Sequence, residues 1–307
     1  MAMIGFYVKK TPVPPPGILT FIDEVDDGSY YANVHGDGNF IYVACIGDGI
    51  RSNSVDGNGN LTHIDHVDQG SNYNDVWSDG TYIYCACYYD GIRSYSVDGS
   101  GNLTYISTND QGSAYYGVWG DGNFIYAASA DGLRSYSVDG SGNLTFIDFD
   151  EQLSDTSRSV WGDGNFIYVA CDYGLKTYSV NGGGFLTYKN TNYQGDGCLD
   201  VCGDGNFIYT SHSNRGLMSY SVDGNGILTY INEIDQGNTY KRVWCDGNII
   251  YAACNTDGLR TYSVDESGIL THLDTNDQGD NYNGVWGDGN FIYTGCDGDG
   301  LRSYSVS

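Results

Sequence analysis

The chain reads as all-β: a closed seven-bladed β-propeller with four antiparallel strands in each blade. Three features lead there. A unit of about 42 residues recurs seven times, its apolar runs are strand-length and bounded by Gly, Asp and Asn, and the last unit lacks one strand that the N-terminal region can supply. The anchor of the repeat is the Tyr of GDGNFIY, found at Tyr42, Tyr84, Tyr126, Tyr168, Tyr209, Tyr251 and Tyr293. A second anchor lies seven residues earlier, at His35, Trp77, Trp119, Trp161, Cys202, Trp244 and Trp286. A third is the basic residue of GLRSYSV: Arg51, Arg93, Arg134, Lys176, Arg260 and Arg302, with Met218 in the fifth copy.

Each unit divides into strands A to D, counted outwards from the axis. In the second copy these are YNDVW, TYIYCAC, IRSYSV and LTYIST, separated by SDG, YYDG and DGSGN. The DG and GN pairs supply the positive φ angles of tight hairpin turns. No segment has helical periodicity. The repeat opens on a strand D, Ile18 to Val25, and ends after a strand C, Leu301 to Val306. Pairing these two closes the ring and leaves no free sheet edge at the seam. The expected organisation is an arm and Pro-rich linker over residues 1–16 and the propeller over 17–307.

Composition narrows the partners. The 307 residues hold 39 Asp+Glu against 13 Lys+Arg, a net charge of −26. So strong a negative field repels phosphate backbones and anionic lipid, and no apolar run of about 18 residues exists, so neither nucleic-acid binding nor membrane insertion is expected. The opening MAMIGFYVKK is too short in its apolar part for a secretory leader. Nine cysteines without a CxxC pair read as reduced thiols from synthesis in a reducing compartment.

The repeated phrases ADGLRSYSVDGSGNLTYI and YYGVWGDGNFIYAAS resemble the LVIVD-type propeller repeat of prokaryotic surface proteins, and SVDGSGNLT resembles the lactonase-type propeller repeat. The resemblance spans all seven units. It implies the fold and leaves the role open, because such propellers host many functions.

Residues common to every blade are expected to build blades. The Trp anchors should fill the wedge between neighbouring blades, and the GLRSYSV arginines should form a repeated inter-blade hydrogen bond or ion pair with an Asp of an adjacent DG turn. Asp-Gly-Asn segments read as hairpin turns rather than calcium loops, since the glutamate that completes an EF-hand loop is missing. Asp297 and Asp299 are the best calcium candidates. No nucleophile elbow, zinc motif or phosphate loop occurs.

Function is expected where the copies differ. The residues before the Val-Trp of strand A vary most. Arg158, Lys241 and Arg242 fall there on blades four and six, flanking Asp200 on blade five, and Arg215 lies on a B-to-C loop. This basic island on an acidic face suits an anionic ligand or a partner's acidic patch. The arm is the other exception. Ile4, Phe6, Tyr7 and Val8 form an apolar docking peptide ahead of a Pro-rich spacer, which suits a protein partner in a larger assembly such as a virion or surface appendage. A non-enzymatic scaffold or binding module is the expected role. The alternatives are a glycan-binding, lectin-like propeller, from the abundance of Tyr, Trp, Asp and Asn, and a lactonase-like hydrolase, from the resemblance alone.

Overall fold

The computed structural model describes residues 17–26, 28–151, 155–195, 197–298 and 300–307. The arm residues Ile4, Phe6, Tyr7 and Val8, and Asp299, lie outside them. Seven four-stranded antiparallel sheets are arranged as predicted, six of them continuous in sequence. Blade two shows the pattern: Asp75–Ser78, Tyr82–Ala86, Ile92–Val97 and Leu103–Asn109. The seventh sheet takes its outer strand, Leu19–Val25, from the N-terminal side, paired with Leu301–Val306 in register from Leu19↔Val306 to Val25↔Leu301. Among the described residues no helix is long and apolar enough to cross a membrane.

The core is distributed. Seven hydrophobic clusters correspond to the seven blade-to-blade interfaces, each joining side chains of two successive blades. At the seam, Leu19 is buried among blade six and blade seven residues, with Phe21 packed against them. Polar links repeat around the outside. The Asp or Asn of strand D accepts the backbone N–H of the next blade's Leu, as in Asp23 with Leu61 N at 2.8 Å and Asp274 with Leu19 N at 2.8 Å. The strand C hydroxyl donates to the next C-to-D turn, as Ser52 does to Gly101 O and Thr261 to Gly17 O, both at 2.6 Å. Gly17, at φ 100°, therefore stands where every other blade has a C-to-D turn glycine.

The A-to-B turns explain a recurrent Asp. Asp37 Oδ1 accepts the N–H groups of Asn39 and Phe40 while its Oδ2 accepts the Tyr42 hydroxyl at 2.6 Å. All seven blades repeat the Tyr hydroxyl bond. The C-to-D turns are likewise closed by N–H donors: Asp56 accepts from Asn58 N, Asn60 N and Asn60 Nδ2. These carboxylates serve as turn acceptors.

One expectation is corrected. The GLRSYSV arginines bond within their own blade, not to a neighbouring one. Arg93 pairs with Asp90 at 3.0 Å, donates to Tyr73 Oη at 2.8 Å and lies over the Tyr73 ring; Arg260 repeats this with Asp257 and Tyr240. The Asp sits three residues upstream across the B-to-C turn, so the hairpin itself brings the pair together. Blade four substitutes Lys176, paired with Asp155 at 2.5 Å.

Candidate functional site

The site forms where the ring is narrowest. Strand A lines the axis, and near its start the ladder shifts register, leaving one residue unpaired. The shift falls between Tyr31 and Asn33, Tyr115 and Gly117, Ser157 and Ser159, Cys198 and Asp200, and Tyr282 and Gly284. A bulge re-aims the extra side chain. Here the bulged residues are Ala32, Tyr116, Arg158, Leu199 and Asn283, and with Asn74 and Lys241 at the matching positions all seven line one depression of about 460 Å³ at the axial mouth. The most variable position of the repeat is thus the position that the backbone turns toward the mouth.

Arg158, Lys241 and Arg242 meet in this depression, with Tyr30 and Ile46 completing its wall; among the described residues no Asp or Glu lines it. Arg158 forms a two-pronged pair with Asp172, at 2.7 and 3.1 Å, and stacks on Tyr116. The Asp172 carboxylate raises the Arg158 guanidinium further above its ordinary range. Lys241 Nζ donates to Asn283 Oδ1 at 3.0 Å. Among the described residues it has no carboxylate within ion-pair distance. Tyr30 is pushed up to about 12, chiefly by burial and then by the neighbouring Asp297.

Directly below, a second ring is polar and asymmetric: Asn33, Asp75, Ser159, Asp200 and Arg242. Arg242 reaches toward Asp200 at 3.5 Å and, across the axis, toward the Asn74 carbonyl at 3.5 Å. Asp200 also accepts from Ser159 Oγ at 2.5 Å and Val243 N at 2.8 Å. Asp75 accepts from Asn33, Val76 N and Val118 N. Burial raises the Asp75 carboxyl, with Arg242 opposing. Arg242 therefore closes the axis as a charged plug between blades. Each Asp stitches its blade to the next through a backbone N–H, so this ring serves stability as well as recognition.

Beneath the plug, seven valines and the Trp ring surround a cavity of about 150 Å³. Each indole lies over a glycine of the next blade: a Cβ built on Gly36, Gly120, Gly162, Gly203 or Gly287 would fall 2.5–2.7 Å from an indole carbon. The two blades that lack Trp also lack the partner glycine. His35 is followed by Ser78, and Cys202 by Cys245. This volume exchange is legible in the repeat only as a covariation of two unlike positions 42 or 43 residues apart, not in any one column. His35 stands between Trp77 and Trp286 with ring centroids 6.2 and 5.2 Å away, and burial pushes it down to about 4.

Two predicted residues fall elsewhere. Arg215 is held at the outer edge by Gln194 O and Glu233, and does not join the mouth. Asp297 accepts from the amides of Asn281, at 2.7 Å, and Asn283. With the Tyr30 hydroxyl also bonded to it, Asp297 is engaged by side-chain donors. Among the described residues no group of three or more His, Cys, Asp or Glu is placed to hold a metal.

No protein-family model matches the chain, and no curated protein matches it. Among solved structures, U3-55K gives a TM-score of 0.76 at 11% identity, covering 95% of this chain and 100% of that one. A catalytically inactive virginiamycin B lyase from Staphylococcus aureus, solved with quinupristin, gives 0.73 at 11% identity, over 94% and 99% of the two chains. A putative 6-phosphogluconolactonase from Bacteroides fragilis gives 0.70 at 18% identity, over 82% and 85%. The LVIVD-type resemblance has no family match behind it. At these identities the likeness establishes the fold alone: the chain is a seven-bladed β-propeller similar in architecture to enzymes and to other propellers alike.

Proposed function

We propose that this protein is a non-enzymatic binding module whose axial mouth takes a carboxylate-bearing ligand or an acidic patch of a partner. One observation carries the reading. In a chain of net charge −26, three cations converge on a depression lined, among the described residues, by no carboxylate. Lys241 is the cation left with an amide rather than an acid for company. Tyr30 and Tyr116 add aromatic faces and Asn74 an amide, a mixture that suits an acidic sugar or a carboxylate side chain. Among the described residues of the channel, Ser159 and His35 each have protein partners. Ser159 donates directly to Asp200, and His35 is wedged between indoles.

The test is calorimetric titration with citrate, glucuronate and N-acetylneuraminate. A carboxylate should bind at one site per chain. Lys241→Ala should weaken it at least tenfold, since a hydrogen bond to a charged group contributes about 1.5–3 kcal/mol, and Lys241→Glu should abolish it. Failure of every carboxylate to bind, or equal binding by the Lys241→Glu variant, would remove the proposal. Turnover of a sugar lactone that disappears in the Lys241→Ala variant would replace it with the lactonase-like reading.

The same proposal gives residues 1–16 the role of attaching the ring to an assembly. The support is compositional: Ile4, Phe6, Tyr7 and Val8 form an apolar peptide too short for a core of its own. Deleting residues 2–11 should leave the ring folded and prevent co-purification with its partner. Equal incorporation of the truncated protein would refute this.

A further inference from the structure

The space opened in the Trp ring between blades five and six holds two thiols. Cys202 occupies an indole position and Cys245 occupies the glycine position beneath it. In five other interfaces the ring side chain projects straight over that next-blade residue, at 2.5–2.7 Å from its would-be Cβ. Cys202 and Cys245 pack in one cluster, line one axial cavity and have neighbouring thiols. They differ from the other cysteines. Cys45, Cys87, Cys171, Cys198 and Cys254 lean on backbone carbonyls at 3.4–3.8 Å. Cys245 alone among the nine is not fully buried. Burial and the neighbouring Cys245 thiol hold the Cys202 thiol well above its ordinary range, which suits a resolving partner rather than a first attacker.

We propose that Cys202 and Cys245 are a peroxide-sensitive dithiol that closes to an intramolecular disulfide across the blade five–blade six boundary. The Cys245 thiolate attacks the O–O bond of a hydroperoxide, takes one oxygen as sulfenic acid and releases an alcohol or water. The Cys202 sulfur then displaces that hydroxyl. The S–S bond forms as the S–O bond of the sulfenic acid breaks, its oxygen leaves as water, and two electrons have passed to the peroxide. In sum, two thiols and one hydroperoxide give one disulfide, one alcohol or water, and one further water. A small neutral peroxide is the fitting oxidant, because the net charge of −26 and the ring of A-to-B turn aspartates at this mouth oppose an anionic disulfide such as oxidised glutathione. The site is independent of the ligand proposed for the opposite mouth.

The experiment exposes the folded full-length protein to hydrogen peroxide, blocks remaining thiols with N-ethylmaleimide and maps disulfides by mass spectrometry without reduction. The expected product is a Cys202–Cys245 cross-linked peptide pair, two hydrogens lighter than the dithiol and reversed by dithiothreitol, with the carbonyl-bonded cysteines still alkylatable after unfolding. In Cys202→Ser the trapped intermediate should appear as a dimedone adduct on Cys245. No such pair in protein whose melting curve is unchanged, a pair that forms only in urea, or dimedone labelling spread over other cysteines would each overturn the proposal. The cross-link is read on the unmodified chain, so it does not depend on the variant folding.

Discussion

Restoring the missing indole offers a direct check on how the ring is packed. Cys202→Trp alone places an indole against Cys245, and elsewhere a Cβ at that position would sit 2.5–2.7 Å from the ring. Overpacking of this kind costs about 1–3 kcal/mol. Cys245→Gly alone removes a packed side chain and introduces a strand glycine, with a cost of roughly 1–2 kcal/mol. If the sites were independent, the double variant would lose about 2–5 kcal/mol. The structure instead says that the two changes together rebuild the Trp–Gly pair found at five interfaces. An indole buries on the order of 150–250 Å², so the double variant should equal or exceed the parent in stability. The expected coupling is at least about 2 kcal/mol, or roughly 4 °C or more in Tm above the additive expectation for a chain of this size. The assay is thermal unfolding of all four proteins under reducing conditions. Additivity within about 0.5 kcal/mol would show that the Trp–Gly complementarity does not govern the packing.

Three other perturbations follow from the same geometry. His35 is held neutral, with its folded pKa down at about 4 against an unfolded value of about 6.5, so the unfolded chain binds the extra proton. Its contribution is complete above about pH 6.5 and lost as pH falls toward 4; His35→Gln should flatten that limb of a stability–pH curve by about 3 kcal/mol. Asp131 is held well below the usual carboxylate range, first by its hydrogen bond from Arg134. Its contribution is present above the unfolded value and fades as pH falls below about 4, so Asp131→Asn should lower stability at neutral pH and lessen its loss in acid, as read by urea midpoints. Deleting residues 1–26 strips blade seven of its outer strand and exposes the edge of Leu301–Val306; the product should melt lower and aggregate in light scattering, and an unchanged monomer with an unchanged Tm would contradict the closure.

Much of the fold was legible because periodicity reports it directly. The seven Tyr anchors fix the blade count, and the unmatched LTFIDEV at one end and LRSYSV at the other fix the seam. The mouth was half legible. Arg158, Lys241 and Arg242 were drawn from the variable column, but the bulge that turns that column toward the axis depends on backbone register, which composition does not carry. Arg215 sits at an equally irregular loop and was placed with them; its actual partner, Glu233, lies on a neighbouring strand D and captures it at the rim. The Cys202–Cys245 contact escaped for a different reason. It joins unlike positions in successive copies, whereas aligned repeats compare like with like.

Gly17 takes the place of a hairpin glycine in the C-to-D turn of blade seven, accepting from Thr261 and donating to Ser307 O at 2.9 Å. Those turns ring the face opposite the cationic mouth. Gly17 itself therefore lies at the lower rim, off the axis. Under the proposal, tethering at that rim and capture at the mouth would use separate surfaces. An anchored ring would stand as a two-sided adaptor, its receptive end directed away from the attachment point and unobstructed by it.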